Sequence, residues 1–329
     1  MLKYKILLLI CVVQLAAGPG AGSAIADTWR LTEDQDFEAV SEQTDEFLLA
    51  VTRTKELVNT GEVGQAREAY EKLKDEFPDL AGPDFDQFVK AELQFCEGRF
   101  AAAIRSYDKL LEEYPMSRLY DAALDREFAI ATAYLGGHRK TILLLIKLKG
   151  YAEGVKIMEK VTDNAGFYSP IGVKAAIAVA QHYEQREKYE EAYLKWNEIS
   201  RHWMIGEIGK QALLGMARSQ YASYNSEPPE KRAFYDASRL RTAKTLYEKF
   251  LLLFAEDAKE LGIEQLIDEI GEEIAHKQFV IGEYYERVDK PQAARLYYDM
   301  VVRNWPGSKA AEMARKKQLE NPTETDETK

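Results

Sequence analysis

The chain has 329 residues, 46% of them hydrophobic and 30% charged, with a formal net charge of −11. That length and apolar content suit a folded globular chain rather than a disordered one. The acidic balance argues against nucleic acid as a partner, and two cysteines cannot build a disulfide framework.

The first 26 residues read as a signal peptide. Lys3 and Lys5 form a basic start, Ile6 to Val13 an apolar run too short to span a bilayer, and Ala24-Ile25-Ala26 a small-residue cleavage pattern. The mature chain is expected to begin near Asp27, in the periplasm or at the periplasmic face of the outer membrane. Cys11 follows Ile10, where a lipid-modified cysteine would follow a small residue, so it is read as part of the apolar run. Cys96, beside Phe95, is expected to be a buried, inert thiol.

Residues 27–44 are an N-terminal extension. After them one spacing recurs five times: an alanine, an aromatic four residues on, and a second aromatic seven further. It reads Ala66–Tyr70–Phe77, Ala103–Tyr107–Tyr114, Ala192–Trp196–Trp203, Ala243–Tyr247–Phe254 and Ala294–Tyr298–Trp305, with Pro78, Pro115 and Pro306 closing three copies. Residues at i and i+4 share a helical face. The alanine lets a neighbouring helix come close, the aromatic fills the groove beside it, and the proline ends the helix. Each copy is therefore the second helix of a helix-turn-helix repeat. Turn glycines Gly61 and Gly98 and small first-helix residues such as Ala91, Ala180 and Gly282 complete the register, with a degenerate copy at Gly154 and Met158. This is the tetratricopeptide pattern.

First helices are predicted at 41–60, 84–97, 119–136, 173–187, 207–224 and 266–288. Second helices are predicted at 62–76, 99–113, 151–163, 188–202, 239–256 and 290–304, with a capping helix at 308–319. The key small residues lie 37, 51, 38, 51 and 51 apart, against about 34 for a plain tetratricopeptide array. Inserts therefore fall at 138–151, 225–238 and 256–268; the second reads as a loop and the third as an extension of the next first helix. The expected fold is all-α: a right-handed tetratricopeptide-type solenoid of five to six helix pairs over residues 45–319. The polar tail 320–329 reads as disordered.

Five to six such repeats behind a signal peptide resemble the BamD (YfiO-like) family of outer-membrane β-barrel assembly factors. Gly98–Pro115 and Phe279–Leu319 carry the likeness most closely. The resemblance implies a non-catalytic periplasmic scaffold whose partners are the barrel-assembly factor's periplasmic domains and unfolded outer-membrane proteins. It also implies a concave groove in the N-terminal repeats, for which Phe47, Phe85 and Phe88 are candidate lining residues or, equally, buried repeat contacts. The alternatives are a scaffold of the Tol–Pal or cell-division systems and a cell-wall enzyme with helical repeats. The first calls for an N-terminal coiled coil; the second calls for a cleft domain.

No catalytic, cofactor or metal motif stands out. The four histidines (138, 182, 202 and 276) lack metal-ligand spacing, and no P-loop or paired-cysteine pattern occurs. His182 and His202 neighbour repeat aromatics and read as structural. The stretch His138–Lys149 is basic at both ends and apolar between. It reads as an insert packed on the solenoid, with a peripheral membrane contact as the alternative.

Overall fold

The computed structural model describes residues 28–31, 37–40, 42–142, 146–226, 228, 232 and 236–320. The expected leader, the 225–238 loop in large part and the C-terminal tail lie outside the described residues. Contacts divide the chain into two compact units, residues 1–106 and 107–329.

In the first unit, strands β1 (Thr28–Leu31) and β2 (Phe37–Val40) pair antiparallel, Thr28 opposite Val40 and Leu31 opposite Phe37. Helices α1 (Glu42–Thr60), α2 (Val63–Glu76) and α3 (Pro83–Cys96) pack on one another. Helix α3 starts with proline at its first position and Asp84 and Asp86 in its first turn, where a missing N–H costs nothing and negative charge suits the helix dipole. The unit boundary falls within α4 (Phe100–Glu113).

The second unit is a run of helices, each packed on the next: α5 (Tyr120–Leu135), α6 (Tyr151–Ala165), α7 (Pro170–Gln185), α8 (Tyr189–His202), α9 (Gly206–Asn225) and α10 (Ser238–Leu253). After the short α11 (Ala255–Glu260), α10 packs on α12 (Ile263–Arg287), α12 on α13 (Pro291–Asn304), and α14 (Lys309–Glu320) closes on both. Contacts made by each helix with the next one or two in sequence mark a repeat protein, and the all-α helical-repeat fold stands. The helix boundaries follow the repeat register to within a few residues.

The repeat positions explain the packing. Ala66, Ala103, Ala192, Ala243 and Ala294 are buried, as are Tyr70, Tyr107, Trp196, Tyr247 and Tyr298. Pro78, Pro115 and Pro306 lie exposed just beyond the ends of α2, α4 and α13. Two glycines show how close the helices come. A Cβ on Gly282 would lie 2.5 Å from the Tyr298 ring, and one on Gly215 would lie 2.4 Å from Trp196. The Trp196 indole N–H donates to Glu184 at 3.1 Å, and the Tyr298 hydroxyl donates to Glu286 at 2.8 Å. Each acceptor lies 12 residues upstream on the partner helix, so the buried aromatic keeps its polar atom satisfied.

First helices end in a left-handed residue: Gly61, Gly98, Gly137, Glu187 and Asp289, with φ of 82°, 70°, 96°, 56° and 57°. The next N–H reaches back five residues, as in Arg99 to Gln94, Lys188 to Tyr183 and Lys290 to Tyr285, each at 2.9 Å. This is the Schellman closure, and two of its five left-handed positions carry a side chain that the conformation disfavours.

Behind the third of these closures the chain runs into a hairpin, β3 (Arg139–Ile142) against β4 (Ile146–Lys149). The 138–151 insert is thus antiparallel ribbon at the turn between α5 and α6. Gly150 donates to the His138 carbonyl at 2.9 Å and closes its base. A Cβ there would meet the Tyr134 ring at 2.2 Å.

Candidate binding surface

The structure places the three phenylalanines proposed for a groove in the core of the first unit. Phe47, Phe85 and Phe88 are 1%, 1% and 0% exposed. Phe47 and Phe85 meet at 5.5 Å between ring centroids, and Tyr70 packs edge-on against both Phe85 and Phe88. They hold α1, α2 and α3 together, which corrects the groove assignment: a ring with no exposed surface cannot present itself to a partner. Cys96, expected in the core, is half-buried.

Of the histidines, His182 is buried, while His138, His202 and His276 are exposed. His182 lies in the core 5.3 Å from the Tyr151 ring, its pKa lowered by burial and by Arg186 and Lys188. His202 stacks on Phe167 at 4.1 Å. Among the described residues no group of three or more His, Cys, Asp or Glu could hold a metal ion.

A buried charge cluster joins α4, α5 and α6 in the second unit. Glu127 on α5 is 0% exposed, and neither of its carboxyl oxygens has a donor from elsewhere. Burial pushes its pKa from 4.5 to about 9, reinforced by the neighbouring Asp108 and Glu112 and opposed by Lys160. Two carboxylates cannot hydrogen-bond to each other unless one is protonated. Glu127 is therefore held in its neutral acid form beside Asp108, whose Oδ1 pairs with Lys160 Nζ at 2.5 Å.

Two surface grooves lie farther along the same unit. One, of about 300 Å³, is lined by Ile208, Gln211 and Leu214 of α9, Phe250 of α10 and Leu261 beyond α11, with Glu207, Lys210 and Asp257 at its edge. Lys210 Nζ sits 2.8 Å from Asp257 and 3.0 Å from Glu207. Leu261 is 56% exposed, and Met204 and Ile205, just before α9, are each 77% exposed. Apolar side chains gathered around a groove and rimmed by charge are the marks of a contact surface.

The other groove, of about 260 Å³, runs between α8 and α10 over α9 and is mostly polar. Tyr189, Glu190, Tyr193 and Leu194 form one wall, Ser238, Arg239 and Thr242 the other, and Gln220 and Ser223 the floor. The Arg239 guanidinium donates to Ser223 Oγ at 2.8 Å and to Glu190 Oε2 at 3.1 Å. Sequence reasoning missed both grooves, because their walls stand some fifty residues apart with no pattern linking them.

This architecture defines a tetratricopeptide-type helical-repeat protein. No protein-family model and no curated protein sequence matches the chain. Among solved structures it is similar to the C-terminal part of a TPR repeat-containing protein from Cytophaga hutchinsonii. That match has 15% identity and a TM-score of 0.33, over 82% of this chain and 98% of the other. It is also similar to a human IFIT1 dimer with m7Gppp-AAAA, at 14% identity and a TM-score of 0.24, over 78% of this chain and 69% of that one.

Proposed function

We propose that this chain is a non-catalytic scaffold that binds partner proteins, exported to the periplasm and acting at the inner side of the outer membrane in β-barrel protein assembly. The observation that carries the binding reading is the apolar groove of Ile208, Leu214 and Leu261, floored by the buried Phe250, with its charged rim. Solenoid repeats expose such surfaces on a frame whose own core is already closed. The resemblance of Gly98–Pro115 and Phe279–Leu319 to BamD-type repeats supports the assembly role, and the basic start with Ala24-Ile25-Ala26 supports export.

The test is an affinity pull-down from detergent-solubilised envelopes with the wild type and Leu261→Asp. Leu261 is exposed, so its replacement leaves the core intact. Capture of barrel-assembly components, reduced in the variant, is the expected result. Recovery of only peptidoglycan-associated or division proteins would transfer the scaffold to another envelope system. Equal capture by both proteins would remove the groove from the interface.

A further inference from the structure

We propose that the polar groove between α8 and α10 is a recognition site for a carboxylate side chain on an extended peptide segment, with Arg239 as its anchor. In the scaffold reading on which this rests, it names the chemistry of one contact that a partner makes.

The guanidinium is positioned before any ligand arrives. Ser223 Oγ, on the buried floor, accepts from Nη1 and fixes the plane of the fork. Its other arm, Nη2, already carries a carboxylate, that of Glu190. Glu190 and Arg239 are both exposed, with side chains 71% and 47% accessible. Ion pairs of this kind contribute little, about 0–1 kcal/mol. Glu190 therefore marks where an incoming carboxylate would sit and is readily displaced by it.

The surroundings match such a ligand. Among the described residues, the Tyr189 and Tyr193 hydroxyls, the Gln220 amide and the Thr242 hydroxyl line the groove and make no hydrogen bond of their own. Their hydroxyl and amide groups can donate to a carboxylate held by the cation, and can accept from the backbone N–H groups of a peptide that carries it. The tyrosine rings and Leu194 supply apolar wall for the residues flanking the acid. A cationic ligand is disfavoured by the guanidinium itself.

The experiment measures fluorescence polarisation of two labelled peptides, Gly-Phe-Glu-Phe-Gly and Gly-Phe-Gln-Phe-Gly, on the full chain and on two variants. The wild type should prefer the glutamate peptide. Arg239→Gln should weaken that binding about two- to fivefold, the range of an exposed ion pair. Glu190→Gln removes the internal competitor and should tighten binding about two- to fivefold. A purely structural Arg239–Glu190 pair would give no such gain. Circular dichroism on both variants confirms the fold.

Equal affinity for the two peptides, absence of binding, or a Glu190→Gln variant that binds no tighter would each overturn the assignment. So would displacement of both peptides alike by inorganic phosphate, which would give the site to a phosphate. Envelope capture through the separate Leu261 groove reports independently, so the scaffold reading and this site can fail apart.

Discussion

Replacing Glu127 by glutamine tests the buried cluster of the second unit. Glu127 titrates near 4.5 when the chain is unfolded and near 9 in the fold. Between those values the folded state holds a proton that the unfolded state has released. Stability must then fall as pH rises, with a limiting slope of about 1.36 kcal/mol per pH unit. The contribution is fully present below pH 4.5 and declines continuously towards pH 9. Between pH 5 and pH 7 the loss from this one group is about 2.5 kcal/mol.

Glutamine keeps the shape, supplies an N–H to Asp108 in place of the acid O–H, and does not titrate. Glu127→Gln should therefore match the wild type near pH 4.5 and exceed it by about 3 kcal/mol at pH 7. At about 2–4 °C per kcal/mol for a unit of this size, the midpoint should rise by roughly 6–12 °C at pH 7. Urea denaturation of both proteins at pH 5, 6, 7 and 8 measures the difference directly, and other titrating groups cancel in it. A difference that stays constant across that range would show that Glu127 is ionised in the fold, and the reasoning from burial would fail.

Gly282→Ala should destabilise by about 1–3 kcal/mol through overpacking, because its Cβ would enter the Tyr298 ring at 2.5 Å, and thermal denaturation would reveal it. The same change at Gly271, also within α12 but with no neighbour nearer than 3.7 Å, should instead stabilise by up to about 1 kcal/mol from helix propensity. Glu187→Gly relieves a left-handed residue and should raise stability by about 0.5–1 kcal/mol, whereas the Gly98→Ala counterpart at the equivalent turn should lower it. Mass spectrometry of the native protein should find an N-terminus near Asp27, and a lipidated start at Cys11 would contradict the reading of the leader.

Much of the frame is legible in the sequence because packing of repeat on repeat is local. Ala192 and Trp196 must share a helical face whatever surrounds them, and the bulk of one demands the smallness of the other. Pro306 stops a helix wherever it is placed. The hairpin left a signal as well: Ile146-Lys147-Leu148-Lys149 alternates with period two, the mark of a strand, though the surrounding apolar run hides it. Which apolar face is closed and which stays open was a matter for the tertiary structure alone. Phe85 and Phe88 would read the same in a groove as in a core, and they are core because α1 and α2 cover them. Glu127 is one acid among 55 aspartates and glutamates in the sequence; only the convergence of three helices strips it of water and raises its pKa. Arg239, Ser223 and Glu190 likewise meet because successive helices stack. A local pattern fixes each helix and its inward face, while a site assembled across helices depends on distances that no single stretch of chain contains.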